Sequence, residues 1–332
     1  MVELLDCTLR DGSNVVGSGF SGEATVKIIE ALVDSGVKVI EMGHSSGLGG
    51  NNSGKKPAPL SDEEYVETAA PYFSKAEIGM FCQPKWAAKE AVKSVAARGL
   101  GFLRVGINAG DSSTASELIG EIRSSGMKAR TSLMKAYVLS PAELAKEASL
   151  LEKSGANAVT IMDSAGYMLP DDAAEYVKVL KDAVSIPVGF HGHNNLGLSV
   201  ANGLAAWRAG ADSVDCGVMG MARSVGNIPT EAFIAVLHRL GEGLEYDLHT
   251  LLSRIDNIIA PMLEGHYHNP IPPLQLILGM GGCHSHYLPM FKSAAEKNNA
   301  DLYRLILEVS AKDKKAPPQE MIDEYARTMG GN

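Results

Sequence analysis

His191 and His193 stand two residues apart, with Gly192 between them, at the end of the apolar run Pro187–His193. On a strand, side chains two apart point to one face, and Gly192 leaves the opposite side uncrowded. Asp11 closes another such run near the start of the chain. Two imidazoles and one carboxylate make three ligands with positions left open for substrate or water. That is the pattern of a catalytic divalent metal centre rather than a closed structural one. The mixed nitrogen and oxygen donors suit Mn²⁺, Co²⁺, Mg²⁺, Fe²⁺ or Zn²⁺. Alone, a His-x-His pair reads equally well as two polar histidines at a rim, because short motifs recur by chance. A carboxylate at a second strand end separates the two readings. Arg10 would alternate away from Asp11 on a regular strand, but where the backbone turns both can reach the same mouth. A guanidinium there can hold an oxyanion or a carboxylate; elsewhere a lone arginine is by default a surface ion pair. Asp163-Ser164 marks a third strand end.

These groups need a scaffold that gathers strand ends. Short β-branched runs alternate with helical patterns up to about residue 240: Val2–Thr8, Val37–Met42, Glu77–Cys82, Phe102–Ile107, Lys128–Leu133, Ala158–Asp163, Pro187–His193 and Ser213–Cys216. Helical stretches such as Glu23–Ser35, Ser140–Ser154 and Asp171–Val184 follow them. Most close on a glycine (Gly36, Gly99, Gly126, Gly155, Gly210), as a helix handing over to a strand does. The strand runs are almost continuously apolar, which fits parallel strands covered on both faces. Eight β/α repeats predict an α/β fold, a (β/α)8 TIM barrel, with the catalytic groups at the C-terminal ends of its strands. A doubly wound dinucleotide-binding sheet would carry Gly-x-Gly-x-x-Gly after strand one, where Leu9-Arg10-Asp11-Gly12-Ser13-Asn14 stands instead. After residue 242 the alternation stops. Leu244–Pro261, Ser285–Asn298, Ala300–Ala311 and Pro318–Met329 read as helices, so residues 1–242 are expected to form the catalytic barrel and 243–332 an all-helical extension.

The chain has 332 residues, a net charge of −9 and 45% hydrophobic residues. Such an acidic balance argues against sequence-independent nucleic-acid binding, which needs concentrated Lys and Arg. No apolar run approaches the roughly 20 residues of a membrane helix. The acidic N-terminus lacks the basic segment of a secretory signal, and the four scattered cysteines read as reduced thiols. A cytoplasmic protein is expected, with no nucleic-acid or membrane partner.

Asp6-Cys7-Thr8-Leu9-Arg10-Asp11-Gly12 resembles the signature strand of the DRE-TIM metallolyases, a superfamily that includes isopropylmalate synthase, hydroxymethylglutaryl-CoA lyase and the metal-dependent 4-hydroxy-2-oxovalerate aldolases. His191-Gly192-His193-Asn194-Asn195-Leu196-Gly197-Leu198 is similar to the aldolase branch above all. So are Met162-Asp163-Ser164-Ala165-Gly166 and Gly226-Asn227-Ile228-Pro229-Thr230-Glu231. The resemblance implies aldol cleavage or condensation of a 4-hydroxy-2-oxo acid, giving pyruvate and an aldehyde. An acyl-CoA-dependent Claisen condensation and a catalytically altered binding homologue are the alternatives. It implies Asp11, His191 and His193 as ligands of a divalent metal, Mn²⁺ foremost, with Co²⁺, Mg²⁺ or Zn²⁺ as alternatives. Arg10, Asp11, Ser164 and His191 would contact substrate, Arg10 stabilising the developing enolate. Asn227 would stand behind the metal ligands. A homo-oligomer and an aldehyde dehydrogenase docked on the helical extension are the implied protein partners.

Two positions depart from the aldolase pattern. The family places a histidine, its proposed base, three residues after the aspartate, where this chain has Asn14. It places a tyrosine in the extension where His284 stands here. Both are proton-transfer positions. The expectation is an exchange, with His284 as general acid–base and Asn14 hydrogen-bonding the substrate hydroxyl. The long glycine-rich segment His44–Gly54 after strand two reads as a binding loop or lid.

Overall fold

In the computed structural model, eight parallel strands close into a barrel in sequence order: β1 (Glu3–Asp6), β2 (Val39–Met42), β3 (Glu77–Cys82), β4 (Phe102–Asn108), β5 (Lys128–Met134), β6 (Ala158–Asp163), β7 (Val188–Gly192) and β8 (Ser213–Cys216). The register closes through Leu5 opposite Asp215 on one side and Val39 on the other. The structure describes residues 2–263, 265, 267, 273–281, 283, 287–313 and 317–330.

Eight helices clothe the barrel: α1 (Gly22–Asp34), α2 (Asp62–Ala69), α3 (Lys89–Ala97), α4 (Ser116–Ser124), α5 (Pro141–Lys153), α6 (Pro170–Ala183), α7 (Ser199–Arg208) and α8 (Thr230–Arg239). Their starts follow local chemistry. The Ser21 hydroxyl accepts from Ala24 N at the head of α1. Ser61 with Glu64 and Ser140 with Glu143 form reciprocal capping boxes for α2 and α5, each cap worth about 1 kcal/mol. The closing glycines adopt positive φ as expected, for example Gly36 at 89° and Gly155 at 98°. Between strands and helices lies one continuous apolar core.

The barrel interior holds a separate apolar cluster of Leu5, Cys7, Val39 and Phe102. A Cβ on Gly79 would lie 2.4 Å from Phe102 Cγ, so glycine at that place lets the phenyl ring fill the barrel. Two residues further along β2 and β4, on the same face, come Glu41 and Arg104, both fully buried. The interior thus changes from apolar to ionic on the way to the C-terminal mouth.

Beyond α8 the chain continues as α9 (Leu248–Arg254), a π-helical turn (Ile255–Ile259), α10 (Ala260–Met262), α11 (Pro273–Gly281), α12 (Leu288–Asn298), α13 (Leu302–Lys312) and α14 (Gln319–Gly330). The expected helix Leu244–Pro261 starts later because Asp247 caps it, accepting from Thr250 N. The helix Pro273–Gly281 has no counterpart in the sequence reading. No helix among the described residues is long and apolar enough to cross a membrane.

Candidate metal centre and active site

Strand one is shorter than its apolar run, and the reason bears on the site. The Asp6 carboxylate accepts from Thr8 N (2.9 Å) and Thr230 Oγ1 (2.7 Å), and the chain turns there. Arg10 N and Asp11 N then both donate to Cys7 O, at 3.1 and 2.7 Å. Arg10 and Asp11 therefore sit in a buried turn above β1 rather than on the strand. On the far side β7 ends at Gly192. His193 follows it, held by a bond from its N to Asp163 O and by a bridge to Asn227.

These turns bring the three expected metal ligands together. One donor atom from each of Asp11, His191 and His193 lies within 4.8 Å of the others, and all three residues are buried. Asp11 Oδ2 stands 3.7 Å from His191 Nε2 and 3.9 Å from His193 Nε2. Those gaps exceed hydrogen bonds and suit three atoms aimed at a common point. Asn227 Nδ2 donates to the same Oδ2 at 3.1 Å, while Asn14 Nδ2 donates to Asp11 Oδ1 (3.1 Å) and to its backbone oxygen (2.8 Å). The carboxylate is thus aimed by two amides.

Behind the ligands lies a chain of buried charges that the sequence reading did not single out. His191 Nδ1 faces Asp215 Oδ2 at 3.1 Å. With Nδ1 as donor, the Nε2 lone pair points at the candidate metal position, the orientation by which a carboxylate fixes the tautomer of a metal-binding imidazole. Asp215 Oδ2 also binds Arg104 Nη1. Arg104 Nε and Nη2 donate to Glu41 Oε2 (2.6 Å) and Oε1 (2.8 Å) as a bidentate pair. Glu41 Oε1 accepts from Arg10 Nε at 2.5 Å, and Arg10 Nη1 returns to Asp11 Oδ1 at 3.2 Å. The Arg10 guanidinium also lies over the Phe81 ring, 4.7 Å from its centroid. Gly106 makes room for that ring, since a Cβ there would be 2.0 Å from Phe81 Cζ. Arg10 Nη2 is buried with no partner among the described residues.

The electrostatics follow from this network. Burial would raise Asp11, but Arg10, His191, His193 and the Asn227 bond hold its carboxyl well below the usual range. Glu41 and Asp215 are likewise held low against burial, chiefly by Arg104. Burial would lower Arg10 and Arg104, yet the facing carboxylates keep both above the ordinary arginine value. Burial, then His191, push His193 down to about 4, so its imidazole is neutral near pH 7. Three carboxylates (Asp11, Glu41, Asp215) against two guanidiniums (Arg10, Arg104) leave an excess of one negative charge. Buried excess charge is costly unless compensated. A divalent cation among two imidazoles and a carboxylate compensates it, so the residues present fit such an ion.

The triad opens into a cavity of about 470 Å³ at the C-terminal mouth, bordered by Arg10, Ser164, Lys55, Trp86, Tyr137 and Arg223 among others. Ser164 accepts from Lys135 N at 2.9 Å. Its own hydroxyl has no acceptor among the described residues and faces the cavity. The first half of the glycine-rich segment after β2, through Gly50, is packed, with Gly47 against Phe81 O, and Ser45, Ser46, Ser53 and Lys55 form one wall of the cavity. His284 lies outside the described residues, as do His266, His268 and His286. The residues that sequence reasoning missed, Glu41, Arg104 and Asp215, each interrupt an apolar strand with a charge. A charge at a position covered on both faces must be paired, and that signal was available.

Comparison with known proteins places this architecture. The HMGL-like family model matches residues 1–259. The 4-hydroxy-2-oxovalerate aldolase of Chloroflexus aurantiacus is 35% identical over 324 residues, which cover 97% of this chain and 94% of that protein. The enzyme of the same name from Chloroflexus aggregans is 36% identical over the same shares. Among solved structures, the N-terminal domain of a Bacteroides vulgatus protein superposes with a TM-score of 0.70 at 23% identity, covering 83% of this chain and 95% of that one.

Proposed function

This chain belongs to the HMGL-like family and, within it, with the 4-hydroxy-2-oxovalerate aldolases, and from that membership we propose that it is a metal-dependent lyase that cleaves a 4-hydroxy-2-oxo acid to pyruvate and an aldehyde. The observation that carries the proposal is the buried Asp11–His191–His193 triad, opening on a cavity that Arg10 also lines.

Breaking the C3–C4 bond leaves negative charge on the C2 oxygen of the pyruvate half. A divalent ion held by Asp11, His191 and His193, Mn²⁺ in our assignment with Co²⁺, Mg²⁺ or Zn²⁺ as alternatives, would supply Lewis-acid stabilisation of that charge. Arg10 would add to it. Its guanidinium is immobilised by Glu41, Asp11 and Phe81, and its free Nη2 can donate to the developing oxyanion without first reorganising. Ser164 would donate to the substrate carboxylate. Asp215 holds the His191 ring in place, and Asn14 and Asn227 hold Asp11. The C4 hydroxyl proton needs a base of pKa near neutrality. Asn14 cannot be one, and its amide is engaged by Asp11. We assign the base to His284, with Asn14 Oδ1 left to orient polar groups at the mouth, where Lys55 already reaches it at 3.5 Å.

The test is pyruvate release from a panel of 4-hydroxy-2-oxo acids by metal-stripped protein, before and after addition of Mn²⁺, Co²⁺ or Mg²⁺. Activity that depends on added metal is the expected result. Free thiol released from acetyl-CoA in the presence of a 2-oxo acid would instead mark a Claisen condensing enzyme.

A further inference from the structure

The wall of the cavity carries charges that the cleavage of a simple 4-hydroxy-2-oxo acid does not use. Among the ionisable residues lining it, Arg10, Lys55, Lys135 and Arg223 are cationic and Asp11 is the one carboxylate. Arg10 and Asp11 pair with each other and with the buried network. Lys55, Lys135 and Arg223 have no carboxylate partner among the described residues.

Lys55 and Arg223 stand close enough to repel each other, and Lys135 lines the same cavity beside Ser164. Lys55 loses solvent and is repelled by Arg223 and Arg10, which together lower its pKa. Arg223 also lowers His193 across the cavity. Lys55 makes only long bonds, 3.4 Å to Ser45 Oγ and 3.5 Å to Asn14 Oδ1. Ser53 Oγ, on the same wall, is buried without a partner among the described residues. Like charges gathered on a concave wall attract an anionic ligand group and are stabilised by it. The substrate's own carboxylate is accounted for at the metal end, with Ser164. Acetaldehyde, the aldehyde half of 4-hydroxy-2-oxovalerate, would offer these cations only a methyl group.

We propose that the aldehyde half of the substrate carries its own anionic group, a phosphate or a carboxylate, seated between Lys55, Lys135 and Arg223. The inference rests on the aldolase reading for the word aldehyde, but the anion seat can be tested without it. Glycerol 3-phosphate, succinate and neutral glycerol would be titrated calorimetrically into metal-stripped protein, wild type and the variants Lys55→Met and Arg223→Gln. The proposal expects an anion to bind where glycerol does not, with affinity about 10-fold weaker or more in each variant. The tighter of the two anions identifies the phosphate or the carboxylate. Equal binding of glycerol, or anion binding indifferent to both substitutions, overturns it. With Mn²⁺ restored, condensation of pyruvate with glyceraldehyde 3-phosphate or succinic semialdehyde should exceed that with propanal by about 100-fold in kcat/KM. Arg223→Gln should cut that preference by about 10-fold or more. A preference for propanal contradicts the proposal. If no aldehyde condenses, the aldolase reading and the aldehyde assignment fail together, while the titration still decides the anion seat.

Discussion

The candidate triad Asp11, His191 and His193, which the fold does bring together, is legible from type and spacing because a divalent ion needs donors of a few kinds at short separations. Asp215 is not, because nothing in Ser-Val-Asp-Cys says what the aspartate faces. It faces His191 Nδ1 at 3.1 Å, and its role is positional. Asp215→Asn should therefore keep the ligand triad but weaken metal binding by about 10–100-fold. Metal-dependent fluorescence quenching or competition with a chelator would measure that; unchanged affinity would show that Asp215 serves only Arg104. The departures Asn14 and His284 make a second residue-scale prediction. His284→Ala should lower kcat by about 10²–10⁴-fold with metal content intact, and Asn14→His should restore part of the loss. A near-normal kcat in His284→Ala would remove it from the proton path.

At the scale of elements, the alternation of strand and helix is clear in the sequence through β8, because buried parallel strands read as apolar runs and the helices carry caps and closing glycines. The strand ends are less clear. A run such as Val2–Thr8 continues to look extended, yet the Asp6 side chain captures Thr8 N and turns the chain. The helix Pro273–Gly281 is hidden by flanking prolines and glycines that read as loop, although Leu-Gln-Leu-Ile-Leu is apolar enough to pack. The same turn explains a pH effect. Asp6, bonded to Thr230 at the head of α8, is pushed by burial up to about 6. Glu231 beside it is pushed by burial up to about 7, with one oxygen accepting from Met219 N and the other without a partner among the described residues. A carboxyl raised in the folded state binds more protons there than in the unfolded chain. Its contribution is complete below the ordinary value of 4.5 and is lost as pH rises through about 7. Glu231→Gln keeps the acceptor for Met219 and removes the titration. Relative to wild type, its Tm should rise by several degrees between pH 5 and 8, at roughly 2–4 °C per kcal/mol. A wild-type–variant difference that does not change with pH would contradict this.

At the scale of the whole molecule, the fold class was legible because eight repeats admit few closed arrangements of parallel strands. The charge distribution was not, since a net charge of −9 says nothing about where the cations collect. They collect at the mouth, where Lys55, Lys135 and Arg223 join Arg10 around the cavity. An acidic protein with a cationic mouth draws anionic substrates to one place and repels them elsewhere. The kcat/KM for a 2-oxo acid should therefore fall as ionic strength rises from about 0.01 to 0.15 M, where the Debye length shortens from roughly 30 to 8 Å. A steady-state salt series would show it, and a flat response would contradict electrostatic steering by these cations. The ionic chain Arg10–Glu41–Arg104–Asp215–His191, spanning four strands and the turn after β1, joins the barrel interior directly to the candidate metal centre.

The central claim is that Asp11, His191 and His193 together hold one divalent ion on which aldol cleavage depends. It is tested most directly by measuring metal content and pyruvate release side by side in wild type and His191→Ala after loading with Mn²⁺ and desalting. The account predicts about one ion per chain in wild type, little or none in the variant, and loss of pyruvate release with the ion. A folded His191→Ala protein that retains a full equivalent of metal, or that releases pyruvate without it, would contradict the account.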